Sequence, residues 1–265
     1  MTANFLETVM TARKVTLELA YGELTPADLE KLVAAAPYPR DFIAALSDRP
    51  DVAVIAEVKK ASPSAGAIAL ECEASKQALH YQDGGAACVS VLCEPNYFAG
   101  SFTDLSDVSD AVDIPVIAKD FVVDPVQLYV ARSHGADAIL LMVSVLGEEL
   151  CRYIDLATTL GLTPLVEVHD HEELQIALAA HAPLIGVNSR NLRTLEVAPE
   201  KVASVIAAAK TAGAVVVAES GIRNRAAVQA SSTYGADAVL VGEMLMRTQF
   251  PEDVLEELTG VAKTP

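Results

Sequence analysis

The segment YGADAVLVGE, residues 234–243, carries the pattern on which the fold turns. HGADAILLMV (134–143) repeats it closely and DGGAACVSVL (83–92) more loosely. In each, a glycine precedes small residues and then an unbroken apolar run. Gly85, Gly135 and Gly235 read as helix stops, and the runs behind them as buried strands. Working outward, the same kind of run recurs as VAVIAEV (52–58), PVIAKDFV (115–122), TPLVEV (163–168), PLIGVNS (183–189) and AVVVAES (214–220). Together with ACVSVLCE (87–94), DAILLMVS (137–144) and DAVLVGE (237–243), they make eight strands. The runs are continuous rather than alternating, as in strands that carry helices on one side and a core on the other.

Helix punctuation lies between the strands. Asp124-Pro125 reads as a cap followed by proline at the first helical position. Asp170 and Glu173 have capping-box spacing. Eight βα units in about 200 residues predict an α/β fold of the (β/α)8 barrel type. The alternative, an open doubly wound sheet, favours a G-x-G-x-x-G turn after the first strand, and none is present there. Ahead of the first strand, Phe5, Leu6, Val9 and Met10 have helical spacing, and Thr25-Pro26 opens a second helix. No long polar linker follows. The reading is one domain over 1–265, with residues 1–50 a helical extension packed on the barrel.

The chain has 265 residues, 52% of them hydrophobic, enough for a well-buried core. Its formal net charge of -17 disfavours nucleic acid and anionic membranes as partners. An anion would need a local site that overcomes this field. The apolar runs are too short to span a membrane. The first residues, MTANFLETVMTARK, lack the apolar stretch of a signal peptide. Cys72, Cys88, Cys93 and Cys151 form no C-x-x-C pair and read as reduced, mostly buried thiols of a cytoplasmic protein. Cys88 and Cys93 have opposite parity on one strand, so they point to opposite faces.

In a barrel the chemistry occupies the C-terminal strand ends. Here those ends carry Glu57 and Lys59, Glu94, Lys119, Ser144, Glu167, Asn188 and Arg190, Glu219-Ser220-Gly221, and Gly242-Glu243. Seven of the nineteen basic residues (Lys59, Lys60, Lys119, Arg190, Arg193, Arg223, Arg225) lie close to them, so an acidic chain gathers positive charge on one rim. Alternation along a strand puts Glu57 and Lys59 on one face and Lys60 on the other. By the same rule Lys119 shares a face with Ile117 and Phe121, Glu167 with Leu165 and His169, and Asn188 with Arg190. Any single Lys–Glu pair reads equally well as an ion pair of the barrel's packing. Several converging on one mouth are harder to explain so, because each buried ion without a partner costs several kcal/mol. Glycines after the seventh and eighth strands suit a phosphate held on backbone N–H groups, although glycines there are also ordinary turn residues.

Two further readings are set aside. Glu167-Val168-His169-Asp170-His171 looks metal-like but has no recognised ligand spacing, and Asp170 already serves as a cap. Cys93 beside Glu94 has no histidine near it in sequence to activate a thiolate.

AEVKKASPS (56–64), AKDFVVDPVQ (118–127), LVEVH (165–169), GVNSRNLRTLEV (186–197), AESGI (218–222) and VLVGEMLM (239–246) stand in order on successive strands. With them the chain resembles the indole-3-glycerol phosphate synthases of tryptophan biosynthesis, from about residue 4 to near 260. The resemblance implies a lyase acting on 1-(2-carboxyphenylamino)-1-deoxyribulose 5-phosphate. Such an enzyme closes the indole ring with loss of carbon dioxide and water, and uses no metal or organic cofactor. It implies Lys119 as general acid, Glu167 as general base, Glu57 as an orienting or proton-shuttling carboxylate, and Lys59 as a cation for the substrate's anionic groups that can also donate a proton. Ser62 and Asn188, with Arg190 beside them, fall near the anthranilate carboxylate and the reacting centre, and Glu219 near ribulose hydroxyls. Phe98, Phe121 and Leu192 fall on the aromatic wall, and Ser220, Gly221 and Gly242 at the phosphate. The ammonium acid is expected to have its pKa lowered toward working pH.

Three features depart from the family's usual pattern: Glu243 where a serine is common, Ala65 where a basic residue is common, and no tryptophan anywhere. Glu243 is therefore expected to offer only its backbone. The expected partner is the small phosphorylated anthranilate-sugar substrate, and the expected state is a monomer. Association with other tryptophan-pathway enzymes stays open. A phosphoribosyl-sugar isomerase, or a barrel that only binds phosphosugars, are the competing functions.

Overall fold

The computed structural model describes residues 5–190 and 199–264. Every apolar run read on the sequence is a strand: β1 (Ala53–Val58), β2 (Cys88–Leu92), β3 (Val116–Lys119), β4 (Ala138–Met142), β5 (Thr163–Val168), β6 (Leu184–Asn188), β7 (Val215–Glu219) and β8 (Ala238–Val241). They pair in parallel and in sequence order, and β8 closes back on β1. Helices follow the strands, so the chain is a (β/α)8 barrel.

Alternation sorts the strand residues into two cores. Val54, Ala56, Val89, Val91, Ala118 and Val166 pack outward against the helices. Ile55, Cys88, Ile117, Leu140, Leu165, Leu184, Val217 and Leu240 fill the interior. Cys88 and Cys93 fall on opposite sides, as their parity requires. Both are buried, whereas Cys151 is exposed.

Gly85, Gly135 and Gly235 have φ of 87°, 82° and 101°, the left-handed turn that ends each helix before its strand. The aspartate of the GAD repeat has its own task. Asp137 and Asp237 immediately precede β4 and β8, and each accepts a backbone N–H near the start of the strand before it, from Val116 at 2.7 Å and Val216 at 3.0 Å. Each also binds a cation. Arg40 Nε lies 2.8 Å from Asp137, and Lys210 Nζ 2.7 Å from Asp237. The looser repeat has Ala87 at this position and lacks the device.

Ahead of β1 lie α1 (Phe5–Tyr21), α2 (Pro26–Ala34) and α3 (Phe42–Ser47). Thr25 and Asp28 form the capping box of α2. The third helix is too short to show periodicity in sequence. Its Phe42 and Leu46 are fully buried against the interior cluster, where they plug the N-terminal end of the barrel. α1 is tied to the opposite end. Buried Arg13 makes a forked ion pair with Asp120, 2.5 Å at the shortest, and lies 5.5 Å over the Phe102 ring. Gln127 donates to the same carboxylate at 2.9 Å. Asp120 directly follows Lys119, so this clamp holds the loop leaving β3. Among the described residues no helix is long and apolar enough to cross a membrane.

Asp137→Ala leaves the buried Val116 N–H and the Arg40 guanidinium without their acceptor. It is expected to lower unfolding free energy by about 2–4 kcal/mol, read from the shift in urea midpoint at unchanged slope.

Candidate active site

The tilt of the strands decides which side chains meet inside the barrel. Glu57 is registered with Ser90 on β2, and Ser90 with Ile117 on β3. Yet the neighbour of Glu57 is Lys119, two residues further on. Tilted strands climb relative to their hydrogen-bond partners, so interior layers take one residue from every second strand. Ile55, Ile117, Leu165 and Val217 are an apolar layer of β1, β3, β5 and β7. Two residues along each of these strands stand Glu57, Lys119, Glu167 and Glu219. The next layer of the odd strands is thus entirely ionisable.

Lys119 Nζ sits 2.9 Å from Glu219 Oε2 and 3.3 Å from Glu57 Oε2. Lys59 Nζ lies 2.5 Å from the other oxygen of Glu57. Burial alone would raise the Glu57 carboxyl, but the two ammonium groups outweigh it and hold it at about 2. Burial would likewise lower Lys119. Attraction to Glu219, Glu57 and Glu167 reverses this and holds Lys119 above the ordinary lysine range. The expectation of a lowered ammonium pKa is therefore corrected: three carboxylates share this one cation. Glu167 behaves oppositely. Burial and the charge of Glu219 push it up to about 7, against the pull of His169, Lys119 and Asn188.

Two glycines make room for the carboxylates. A Cβ on Gly242 would collide with Glu57 and crowd the Lys59 ammonium, and one on Gly186 would collide with Glu219. Above the charged layer opens a cavity of about 470 Å³. Glu57, Lys59, Lys119, Glu167 and Asn188 line its floor, and Phe98 and Phe121, with ring centroids 5.9 Å apart, one wall. Arg190, Ser220, Gly221, Gly242 and Glu243 line it further out. Ser220 has φ of 66°, unusual for a residue with a side chain, and its hydroxyl donates to Asn188 Oδ1 at 2.9 Å. Among the described residues no group of three or more His, Cys, Asp or Glu side chains is placed to hold a metal ion.

A family model described as indole-3-glycerol phosphate synthase matches residues 6–258. The chain belongs to the indole-3-glycerol phosphate synthase family. It is 44% identical to the indole-3-glycerol phosphate synthase of Micrococcus luteus over 98% of this chain and 99% of that one. It is 42% identical to that of Mycobacterium tuberculosis over 99% and 96%. The backbone also resembles a mutant tryptophan synthase alpha-subunit from Pyrococcus furiosus, at TM-score 0.60 and 16% identity, covering 79% of this chain and 98% of that one. That likeness bears on the fold alone.

Among the residues carried over from the synthase family, most converge on the cavity. Glu219 reaches it through Lys119, with its second oxygen buried and without a hydrogen-bond partner. Ser62 does not line the cavity, and its hydroxyl instead accepts from Ala65 N at 3.1 Å in the first loop. Leu192 and Arg193 lie outside the described residues. The rim cations divide. Lys59, Lys119, Arg190 and Arg223 line the cavity. Lys60 turns away to Asp104 at 2.7 Å, and Arg225 binds the carbonyls of Glu257, Thr259 and Gly260.

Glu94 is a loop organiser rather than a site group. Its buried carboxylate accepts from the backbone of Asn96, Tyr97 and Phe98, which fixes the Phe98 wall. Ser144 lies in a short helix, Val143–Leu146, and is exposed. Arg247, which also lines the cavity, had no signal at a strand end. It lies one helical turn beyond Glu243 and binds that carboxylate at 2.9 Å, which offsets the acid at the outer rim.

Glu167 rises from 4.5 to about 7 on folding, so the native protein binds a proton more tightly than the unfolded chain in that window. Its contribution to stability therefore falls as pH rises from about 4.5 to about 7. Relative to the wild type, Glu167→Gln is expected to gain stability across that window. Denaturant titrations at pH 4.5 and pH 8 check it, and a difference independent of pH would contradict it.

Proposed function

We propose that the chain closes the indole ring of 1-(2-carboxyphenylamino)-1-deoxyribulose 5-phosphate with loss of carbon dioxide and water. The observation that carries this reading is a single ammonium, Lys119, held between Glu57 and Glu219 beneath a cavity whose fourth ionisable group, Glu167, titrates near neutrality.

The substrate's phosphate and carboxylate account for cations gathered on an acidic protein. Lys59 and the outer rim (Ser220, Gly221 and Gly242 backbone, and Arg223) serve the phosphate. Glu243 contributes its backbone only, because its side chain is engaged by Arg247. Arg190 and Asn188 serve the anthranilate carboxylate, and Phe98 and Phe121 the aromatic ring. As the aromatic carbon attacks the ribulose carbonyl, that oxygen becomes an alkoxide, basic enough to take a proton even from a lysine of raised pKa. Lys119 is the donor. Decarboxylation restores the aromatic ring and is aided where apolar walls desolvate the carboxylate. In the dehydration half, an ammonium protonates the leaving hydroxyl, and Glu167 takes a proton from the adjacent methylene. A carboxylate near pH 7 suits both taking and releasing that proton. Glu57 orients the two lysines, and Glu219 holds the Lys119 ammonium from the other side.

Ammonium groups supply the electrophile at each step, so we assign no metal or organic cofactor. The free thiols suit a reducing, cytoplasmic compartment.

The purified chain, in the presence of a chelator, is expected to generate indole fluorescence and one carbon dioxide per substrate consumed. Lys119→Ala and Glu167→Gln should each lower kcat roughly 10²-fold or more. Full activity in Lys119→Ala would sink its assignment as the acid. An isomerised product without carbon dioxide would replace the synthase reading by the isomerase.

A further inference from the structure

His169 continues the interior face of β5 beyond Leu165 and Glu167. Glu173, in the first turn of the helix His171–Ala179, does not complete a capping box on Asp170. It reaches one residue further back, where its Oε2 accepts from the His169 backbone N–H at 2.8 Å and stands 2.9 Å from His169 Nδ1. This contact assigns a proton to Nδ1 and turns Nε2 inward. Nε2 then lies 3.4 Å from Glu167 Oε1. Both of these atoms are buried and neither has a hydrogen-bond partner, so they meet as charges rather than through a formed hydrogen bond. A carboxylate, an imidazole and a second carboxylate thus form a line from the half-buried rim to the cavity floor.

The charges around this line are unequal. Glu167 faces the Glu219 carboxylate from β7, the Lys119 ammonium from β3 and the Asn188 amide from β6. At the paired position β4 presents Met142, which has no charge. His169 faces Glu173, Glu167 and Glu219. Lys59 and Lys119 neutralise two of the three carboxylates in the charged layer, and a third cation is needed for Glu167 to ionise. Burial would strip the imidazole of its proton, but the contact with Glu173 and the charge of Glu167 reverse this and push His169 up to about 9.

We propose that His169, held as an imidazolium by Glu173, is a positioning residue that keeps Glu167 ionised and aimed for proton abstraction. This rests on the reading of Glu167 as the general base. His169 touches no reacting atom. It supplies the third cation of the buried cluster, and Glu173 fixes the ring edge that faces the base. Loss of the imidazolium leaves only Lys119 and Asn188 to offset the repulsion of Glu167 by Glu219, so Glu167 takes up a proton at higher pH and fewer molecules carry a competent base.

The test uses the full chain with His169→Asn and Glu173→Gln. Two readouts are followed: the pH dependence of kcat, and an infrared titration of the Glu167 carboxyl, identified by its absence in Glu167→Gln. In His169→Asn, the acid limb of kcat and the Glu167 titration are expected to move upward together by about one unit, a roughly ten-fold loss of kcat on that limb with KM little changed. Glu173→Gln should move both in the same direction. An unshifted Glu167 titration in both variants, with near-ultraviolet circular dichroism intact, overturns the proposal. So does a loss of kcat equal at every pH, which would mark a structural role. Full activity in Glu167→Gln would instead overturn the base assignment, while the titration still reports whether His169 governs Glu167.

Discussion

The Lys119 ammonium, held between Glu57 and Glu219, is the contact around which the barrel mouth is built. Burying a lone lysine or a lone glutamate at this depth would cost several kcal/mol. Together they are tolerable, but only as a set. Glu57 needs Lys59 on its other oxygen, and Glu219 needs the space that Gly186 leaves. Gly242 matters in the same way: any side chain there would drive Glu57 off its lysines. The layer is therefore a cooperative unit, in which removing one member leaves the others as uncompensated buried charges.

The rest of the scaffold isolates that unit. At the opposite end of the barrel, Asp137 and Asp237 pin the starts of neighbouring strands, and α3 plugs the interior with Phe42 and Leu46. These contacts bear on stability and lie away from the charged layer. Near the mouth, the Arg13–Asp120–Gln127 cluster holds the backbone that leaves Lys119, and Glu94 holds the loop bearing Phe98. Rigid supports of this kind keep an ammonium and two aromatic rings in place without contributing to the chemistry themselves.

The acidity of the chain is reconciled with an anionic substrate by geometry rather than by net charge. Cations that would compete for solvent, such as Lys60 and Arg225, are turned into structural contacts. Those left on the cavity face one small volume. Even the acidic Glu243 is accommodated, because Arg247 lies on the same side of its short helix. The local field at the mouth can thus be positive while the remainder of the surface repels polyanions.

Much of this was legible in the sequence, and the reason is periodicity. Alternation along a strand is local, so parity alone put Glu57 with Lys59 and apart from Lys60, Lys119 with Ile117, Glu167 with Leu165, and Asn188 with Arg190. The glycine stops and the apolar runs gave eight βα units for the same reason. The family motifs then named the chemistry. Other features depend on residues far apart in the chain. The ionisable layer needs the strand tilt, which sets Lys119 rather than Ile117 beside Glu57. The direction of the Lys119 shift depends on how many carboxylates reach it, and three do. Gly242 reads as a phosphate glycine until the Glu57 carboxylate is seen against it. His169 reads as part of a metal-like run until Glu173 turns its ring toward Glu167. Sequence by itself determined which side chains share a face of each strand, because that follows from a two-residue repeat. Only the tertiary structure decided which of them touch, because contact across a barrel is set by register and tilt, and these are properties of the closed sheet rather than of any one strand.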